Sequence, residues 1–471
     1  MSGAAAAGVA IAVAPALSSR TRRLLEGPVA PTLLRLAAPN VLVMVLQAAV
    51  STLDAVFVGW LGSDALAGVS LVFPLVMLMQ TMSAGGMGGG VASAVARALG
   101  GGRRAEADAL VVHAVVIAVI MAAAFTLLLE LGGPALYHAM GGEGAALAAA
   151  TLYSRVLFGG ALVYWLFNTL GSVIRGTGNM VLPASVMVGS GCLYLALSPA
   201  LILGWGPLPR LGIAGAAAAS VASFSLGSLA LLGYLLSGRS LVRPRGLRLR
   251  WPLFREILLV GAPGSLNTIL TNLTVVLLTG LVGPFGATAL AGYGLGARLE
   301  YLQIPIVFGL GSGLVTMVGT SMGAGHRARA QRVAWVGAAM AAGVTGTIGI
   351  LAALFPHAWL GLFTSDPAVL AAGTRYLRLV GPCYGFFGAG LALYFASQGA
   401  GRLLWPLLSS VVRLAIAAAG GWLAARWLGV GLSGIFAAMG SALVAMGLVN
   451  VAAVHFGAWR APAPAAARRN P

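Results

Sequence analysis

One pattern of six apolar helices is written twice along these 471 residues, about 224 positions apart, so the chain has to fold as two like halves. LGSDALAG at 61–68 returns as FGATALAG at 285–292, and upstream of it Ala38-Pro39 lines up with Ala262-Pro263. One residue of slippage later, GGGVASAVARALGGGRRA (88–105) matches GSGLVTMVGTSMGAGHRA (311–328). At that offset Tyr153 and Arg155 meet Tyr376 and Arg378, and GTGNMVLP (176–183) meets GAGRLLWP (399–406). Gly and Ala matches arise by chance in so Gly-rich a chain; the Pro, Tyr and Arg coincidences carry the weight.

Composition places both halves in a membrane. Hydrophobic residues make up 59% of the chain and charged ones 8%, against about 25% charged in a soluble domain. Apolar stretches long enough to cross roughly 30 Å of hydrocarbon recur throughout, and they are too long for barrel strands. Twelve spans are expected, near 32–59, 64–97, 107–131, 148–175, 180–205, 212–237, 253–282, 287–322, 330–355, 368–398, 403–427 and 431–457. Breakers separate them at Gly-Gly-Pro (132–134), Gly-Pro-Leu-Pro (206–209), Gly-Pro-Phe-Gly (283–286) and Asp-Pro (366–367). The expected fold is an all-α integral membrane protein of two six-helix lobes, 32–237 and 253–457, related by a pseudo-two-fold axis along the membrane normal. A linker covers 238–252. Repeated halves of this kind point to a transporter whose site lies where the repeats face each other.

The net charge of +18 raises nucleic-acid binding, but its distribution argues against that. All 28 basic residues are Arg, and most of them cluster in alternate loops: 20–23, 97–104, 175, 239–255, 327–332, 402 and 460–469; the intervening loops hold almost none, Arg210 and Arg426 being the exceptions. That is the positive-inside pattern, with both termini and the linker cytoplasmic, as expected of a multi-pass protein of a bacterial inner membrane. Residues 1–31 lack a basic n-region ahead of their apolar run and read as a disordered tail or a mispredicted start, not a cleaved signal; 458–471 reads as a cytoplasmic tail. Cys192 and Cys383 fall inside spans and five His are scattered, so no metal-ligand set forms, and Walker and HxxxH signatures are missing. No organic cofactor is expected; the partners expected are the bilayer and small organic substrates, with the protein a monomer.

PNVLVMVLQAAVSTLDAVFVGWLG (39–62) resembles the opening helix of the multidrug and toxic compound extrusion (MATE) transporters. VGTSMGAGHRARA (318–330) is similar to the family's Val-Gly-x-x-x-Gly-Ala-Gly signature after the eighth helix, and LGWGPLPRLGIAGAAAAS (203–220) to its fifth-to-sixth loop. The resemblance runs from about 32 to 457. It implies efflux of small amphipathic or cationic organic compounds in exchange for H⁺ or Na⁺, and it assigns cation coupling to the aspartate matched by Asp54. The DinF-like branch has an aspartate before the fifth-helix proline where this chain has Ser198, and an asparagine where it has Tyr194. The NorM-like branch has a seventh-helix glutamate where this chain has Thr271. Neither branch's full cation site is present, which favours H⁺ over Na⁺.

Of ten acidic residues only Asp54 and Glu300 fall well inside the spans. An acid at that depth costs about 2.5–3.5 kcal/mol on insertion scales, so both are candidate coupling groups. Asp54 lies about 10 Å below the outer end of its helix and Glu300 roughly 20 Å deep in its own. The structural alternatives are, for Asp54, a carboxylate reaching the outer interface or pairing with an Arg, and for Glu300 a buried ion pair with Arg378 or Arg413. Cavity-lining candidates are Tyr164, Trp165, Asn168, Tyr194, Ser198, Asn267, Thr271, Asn272, Tyr293 and Tyr384, although residues of these kinds more often serve plain helix packing. Pro39 and Pro263 are candidate hinges, because a helical proline frees a carbonyl and permits bending. Two other functions compete: a flippase for a lipid-linked saccharide, disfavoured by the few intramembrane Arg, and a membrane-embedded transferase, disfavoured by the lack of an Asp/His/Glu cluster.

Overall fold

Uniform apolarity makes helices the only economical backbone here, and small turns punctuate them. The computed structural model describes residues 18–206, 208–245, 248–427 and 429–459. Eleven continuous helices are long and apolar enough to span: Val29–Gly59, Ser63–Gly100, Arg104–Ala139, Val181–Leu203, Ile213–Leu236, Trp251–Phe285, Ala287–Gly323, Arg327–Leu354, Pro367–Ala400, Leu404–Arg426 and Gly431–His455. A twelfth is the pair Gly144–Gly159 and Ala161–Gly176, bent by 47°. In chain order these are the twelve spans, six to a lobe, and the described residues contain no strand. Agreement with the expected ends is within a few residues except at the third span, which runs through Gly132-Gly133-Pro134 to Ala139. A proline removes one backbone bond but does not end a helix whose flanking turns hold; the stop comes at Gly141-Gly142 instead.

Equivalent turns have equivalent backbones. Gly62 and Gly286 precede the second and eighth spans with φ/ψ of 103°/174° and 96°/168°, a region closed to side-chain-bearing residues. The fourth and tenth spans break at matching points, at Gly160 and at Gly381–Cys383. Within each lobe a glycine brings the second helix against the fourth: Gly68 on Ala146–Ala150 and Gly292 on Val369–Gly373. Small residues let helices approach closely where lipid offers no hydrophobic drive for association.

The lobes meet on the arginine-rich side, where one apolar cluster draws from both, joining Leu33, Leu36 and Ala37 to Leu310 and Leu314. The contact is reciprocal, as two-fold symmetry requires. A Cβ on Gly100 would lie 2.1 Å from the Thr320 carbonyl oxygen, and one on Gly323 would lie 2.0 Å from that of Arg97. Since each half has six spans, both halves cross the membrane in the same sense and the pseudo-two-fold axis runs along its normal. Cross-lobe bonds include Asn40 Nδ2 to Ser312 Oγ (2.7 Å), Ser93 Oγ to Gln398 O (2.6 Å), Gln398 Nε2 to Gly85 O (2.9 Å) and Arg97 Nη2 to Glu256 Oε1 (3.4 Å). Gly323→Ala is expected to destabilise the protein by about 1–3 kcal/mol, because backbone faces it and cannot swing aside. Gly59→Ala, with nothing within 4 Å of the new methyl, should leave the melting temperature of the detergent-solubilised protein near wild type.

The expectation of a disordered 1–31 tail is corrected for the part described. Ser19–Glu26 is a helix whose cap, Ser18 Oγ, accepts from Thr21 N (3.1 Å). Leu24 and Leu25 are buried, and Arg329 Nη2 donates to Leu24 O (3.0 Å) and Gly27 O (2.6 Å). Residues 1–17 and 460–471 lie outside the described residues. The linker is tied to the third span: Arg243 N donates to Asp108 Oδ1 (2.8 Å) and Arg250 N to His113 Nε2 (2.9 Å). Pro39 and Pro263 sit inside unbroken helices.

Candidate functional site

Each lobe forms a mainly apolar cavity, with polar side chains set into its wall, between its first, second, fourth, fifth and sixth helices. In the N-lobe, Gln47, Ser51 and Asp54 fall at i, i+4 and i+7 of the first span and so share one face. Opposite them stand Gln80 on the second span, Tyr153 and Tyr164 on the two arms of the bent fourth, Ser190 and Tyr194 on the fifth and Ser220 on the sixth. They line a cavity of about 160 Å³. The Tyr194 hydroxyl donates to Asp54 Oδ1, and the hydroxyls of Tyr164 and Ser220 are 2.5 Å apart. No basic side chain lines this cavity among the described residues. Asp54 therefore faces only neutral donors, a setting in which a carboxylate can take up a cation or a proton without first breaking an ion pair.

The C-lobe cavity, about 130 Å³, uses the corresponding helices with a different charge arrangement. Its acid, Glu300, comes from the second helix of the lobe rather than the first. Tyr376 Oη donates to Glu300 Oε2 (3.2 Å), and Arg413 Nη2 lies 3.6 Å from Oε1. The Arg413 guanidinium stands 5.8 Å from the Phe387 ring centre. Ser410 Oγ donates to Asn267 Oδ1, and Tyr293 packs edge-on to Tyr376 at 5.7 Å. Of the two expected partners for Glu300, Arg413 is the one that pairs. The pair is loose, and Glu300 remains part of the cavity wall.

Tyr164, Tyr194, Asn267, Thr271 and Tyr293 line these cavities. Five other candidates do not. Trp165 is fully buried, 6.0 Å from Phe125, because it is one position round the helix from Tyr164. Asn168 ties the fourth span to the second through Ser83 Oγ (2.9 Å). Ser198 is buried one turn beyond Tyr194, and Tyr384 is buried in the C-lobe core. Asn272 is exposed and donates to Thr268 O in its own helix (2.9 Å). Sequence reasoning missed Gln47, Gln80, Tyr153 and Ser220. The repeat had already matched Tyr153 with Tyr376, and both prove to be cavity residues, so that register was an unused signal.

The MatE family model matches this chain twice, over residues 39–200 and 263–423, one copy to each lobe. A FAD transporter of Shewanella oneidensis is 28% identical over 400 residues, 83% of this chain and 87% of that protein. A probable multidrug resistance protein NorM of Deinococcus radiodurans is 30% identical over 444 residues, 88% of this chain and 93% of that one. Among solved structures, a MOP superfamily transporter from Pyrococcus furiosus superposes with a TM-score of 0.86 at 22% identity, over 95% of this chain and all of that one. With one family motif per lobe and the same twelve-helix fold as solved relatives, the chain belongs to the MATE family of membrane transporters and is not an enzyme.

Proposed function

We propose that this protein is an antiporter that exports small amphipathic or cationic organic compounds in exchange for H⁺, by alternating access between its lobes. The observation that carries the reading is Asp54: an acid in the wall of the N-lobe cavity, held by the Tyr194 hydroxyl and opposed by no cation among the described residues. Glu300, already paired with Arg413, is the less available of the two acids. Na⁺ needs several hard oxygen ligands, and around Asp54 the neutral oxygens come from tyrosine, serine and glutamine side chains, a lean set; this supports H⁺. The arginine-rich loops support cytoplasmic termini and a bacterial inner membrane. The lobes are held together on that side, so the cavities open towards the outside in this state. Pro39 and Pro263 free the carbonyls of Arg35 and Leu259 and are where the first helix of each lobe would bend.

Purified protein in liposomes, with ethidium as reporter substrate, tests this directly. An imposed pH gradient should drive ethidium transport, and a Na⁺ gradient at constant pH should not. Transport driven by Na⁺ alone would overturn proton coupling, and transport indifferent to both gradients would overturn antiport.

A further inference from the structure

We propose that the C-lobe cavity is a second ligand site, which takes the carboxylate of an aromatic compound on Arg413. The argument begins with unmet hydrogen-bonding capacity. A guanidinium carries five N–H donors in a flat fork that matches a carboxylate two at a time. Arg413 meets its only acid, Glu300, at 3.6 Å through a single nitrogen; its Nη1 has a thioether, Met446 Sδ, at 4.0 Å. A cation so far from water normally collects charge-assisted bonds of about 2.7–2.9 Å. Arg413 collects none of that length, and it stands in the wall of a cavity where an incoming oxyanion can reach its fork.

The other walls suit what such an oxyanion would carry. Tyr293, Tyr301, Tyr376 and Tyr394 bring aromatic faces and hydroxyls, and Phe387 lies beneath the guanidinium. Planar aromatic ligands pack edge-to-face or offset against such rings. The N-lobe cavity, whose described lining has an acid and no base, would repel the same group. Glu300 then acts as a competitor for Arg413: when the ligand carboxylate takes the fork, Glu300 stays on the Tyr376 hydroxyl. Proton-coupled export bears on this only in naming the ligand a substrate, since the site can be tested by equilibrium binding with no gradient and no transport.

The probe is salicylate, with neutral salicylamide as control, titrated into the detergent-solubilised full chain by calorimetry. Wild type should bind salicylate and not salicylamide. Arg413→Gln should weaken salicylate by about tenfold or more, as loss of a charge-assisted bidentate contact implies, and Arg413→Lys should fall between. Glu300→Gln should tighten binding several-fold by releasing Arg413 from its competitor. This last variant keeps the arginine and decides the matter even if the Arg413 variants fail to fold. Equal affinity in wild type and Arg413→Gln, weaker or unchanged binding in Glu300→Gln, no salicylate binding, or equal binding of salicylamide would each overturn the proposal. Failure here with intact gradient-driven ethidium transport would leave the export reading standing.

Discussion

Asp54→Asn is expected to reduce proton-driven export to the level of protein-free vesicles while leaving the protein folded. The substitution keeps the size of the side chain and removes the only acid that lines the N-lobe cavity among the described residues. Its amide oxygen still accepts from Tyr194, so the contact between the first and fifth spans survives and the melting temperature should move by only a few degrees. Ethidium binding in detergent should persist, because the neutral side chain imitates the protonated working state. The check is transport in liposomes under a pH gradient, beside a melting curve of the same preparation. Export by Asp54→Asn at the wild-type rate would move the coupling role elsewhere, to Glu300 first.

The second large effect is expected at the seam between the lobes. Arg97 holds Ser93 Oγ within its own helix, reaches the Gly399 carbonyl oxygen at 3.4 Å and pairs with Glu256 at 3.4 Å across the interface, with both charged side chains mostly buried. Truncating one member of such a pair costs about 2–5 kcal/mol, much of it from the charge left alone. Only the state in which the lobes meet on this side contains the pair, so Arg97→Gln should shift the population away from that state, by a factor of ten for each 1.4 kcal/mol lost. Ser265 reports the shift: it is 7% exposed and packs against Gly86 of the opposite lobe. In a background with Cys192 and Cys383 replaced by Ser, Ser265→Cys should react with a water-soluble maleimide at least about ten times faster when Arg97→Gln is added, and transport should fall. An unchanged labelling rate would show that the pair does not hold the seam closed.

Much of the architecture is legible in the chain because it rests on local physics. Apolar runs longer than a bilayer needs, glycines at turns that require positive φ, and arginines in alternate loops each report on themselves. The internal repeat then supplies one long-range relation, strong enough to pair Gly62 with Gly286 and Tyr153 with Tyr376. Asp54 and Glu300 also announce themselves, since an acid within a span is conspicuous. The helical entry segment Ser19–Glu26 was misread because its order comes from an arginine more than three hundred residues away.

What only the tertiary structure decided is which way each helix faces. In water an amphipathic stripe marks the buried side of a helix; in lipid the outer face is as apolar as the core, and the stripe disappears. Trp165 and Tyr164 are neighbours of like character and both are buried, yet only Tyr164 reaches the cavity wall. Asn272 and Asn267 are both polar residues of one span, and only Asn267 turns inward. The sequence by itself thus determined the number of spans, the two-fold repeat and the two intramembrane acids. That Asp54 stands alone with Tyr194 while Glu300 shares its cavity with Arg413 depends on the rotation of each helix about its own axis, which a uniformly apolar sequence does not encode locally and helix packing sets.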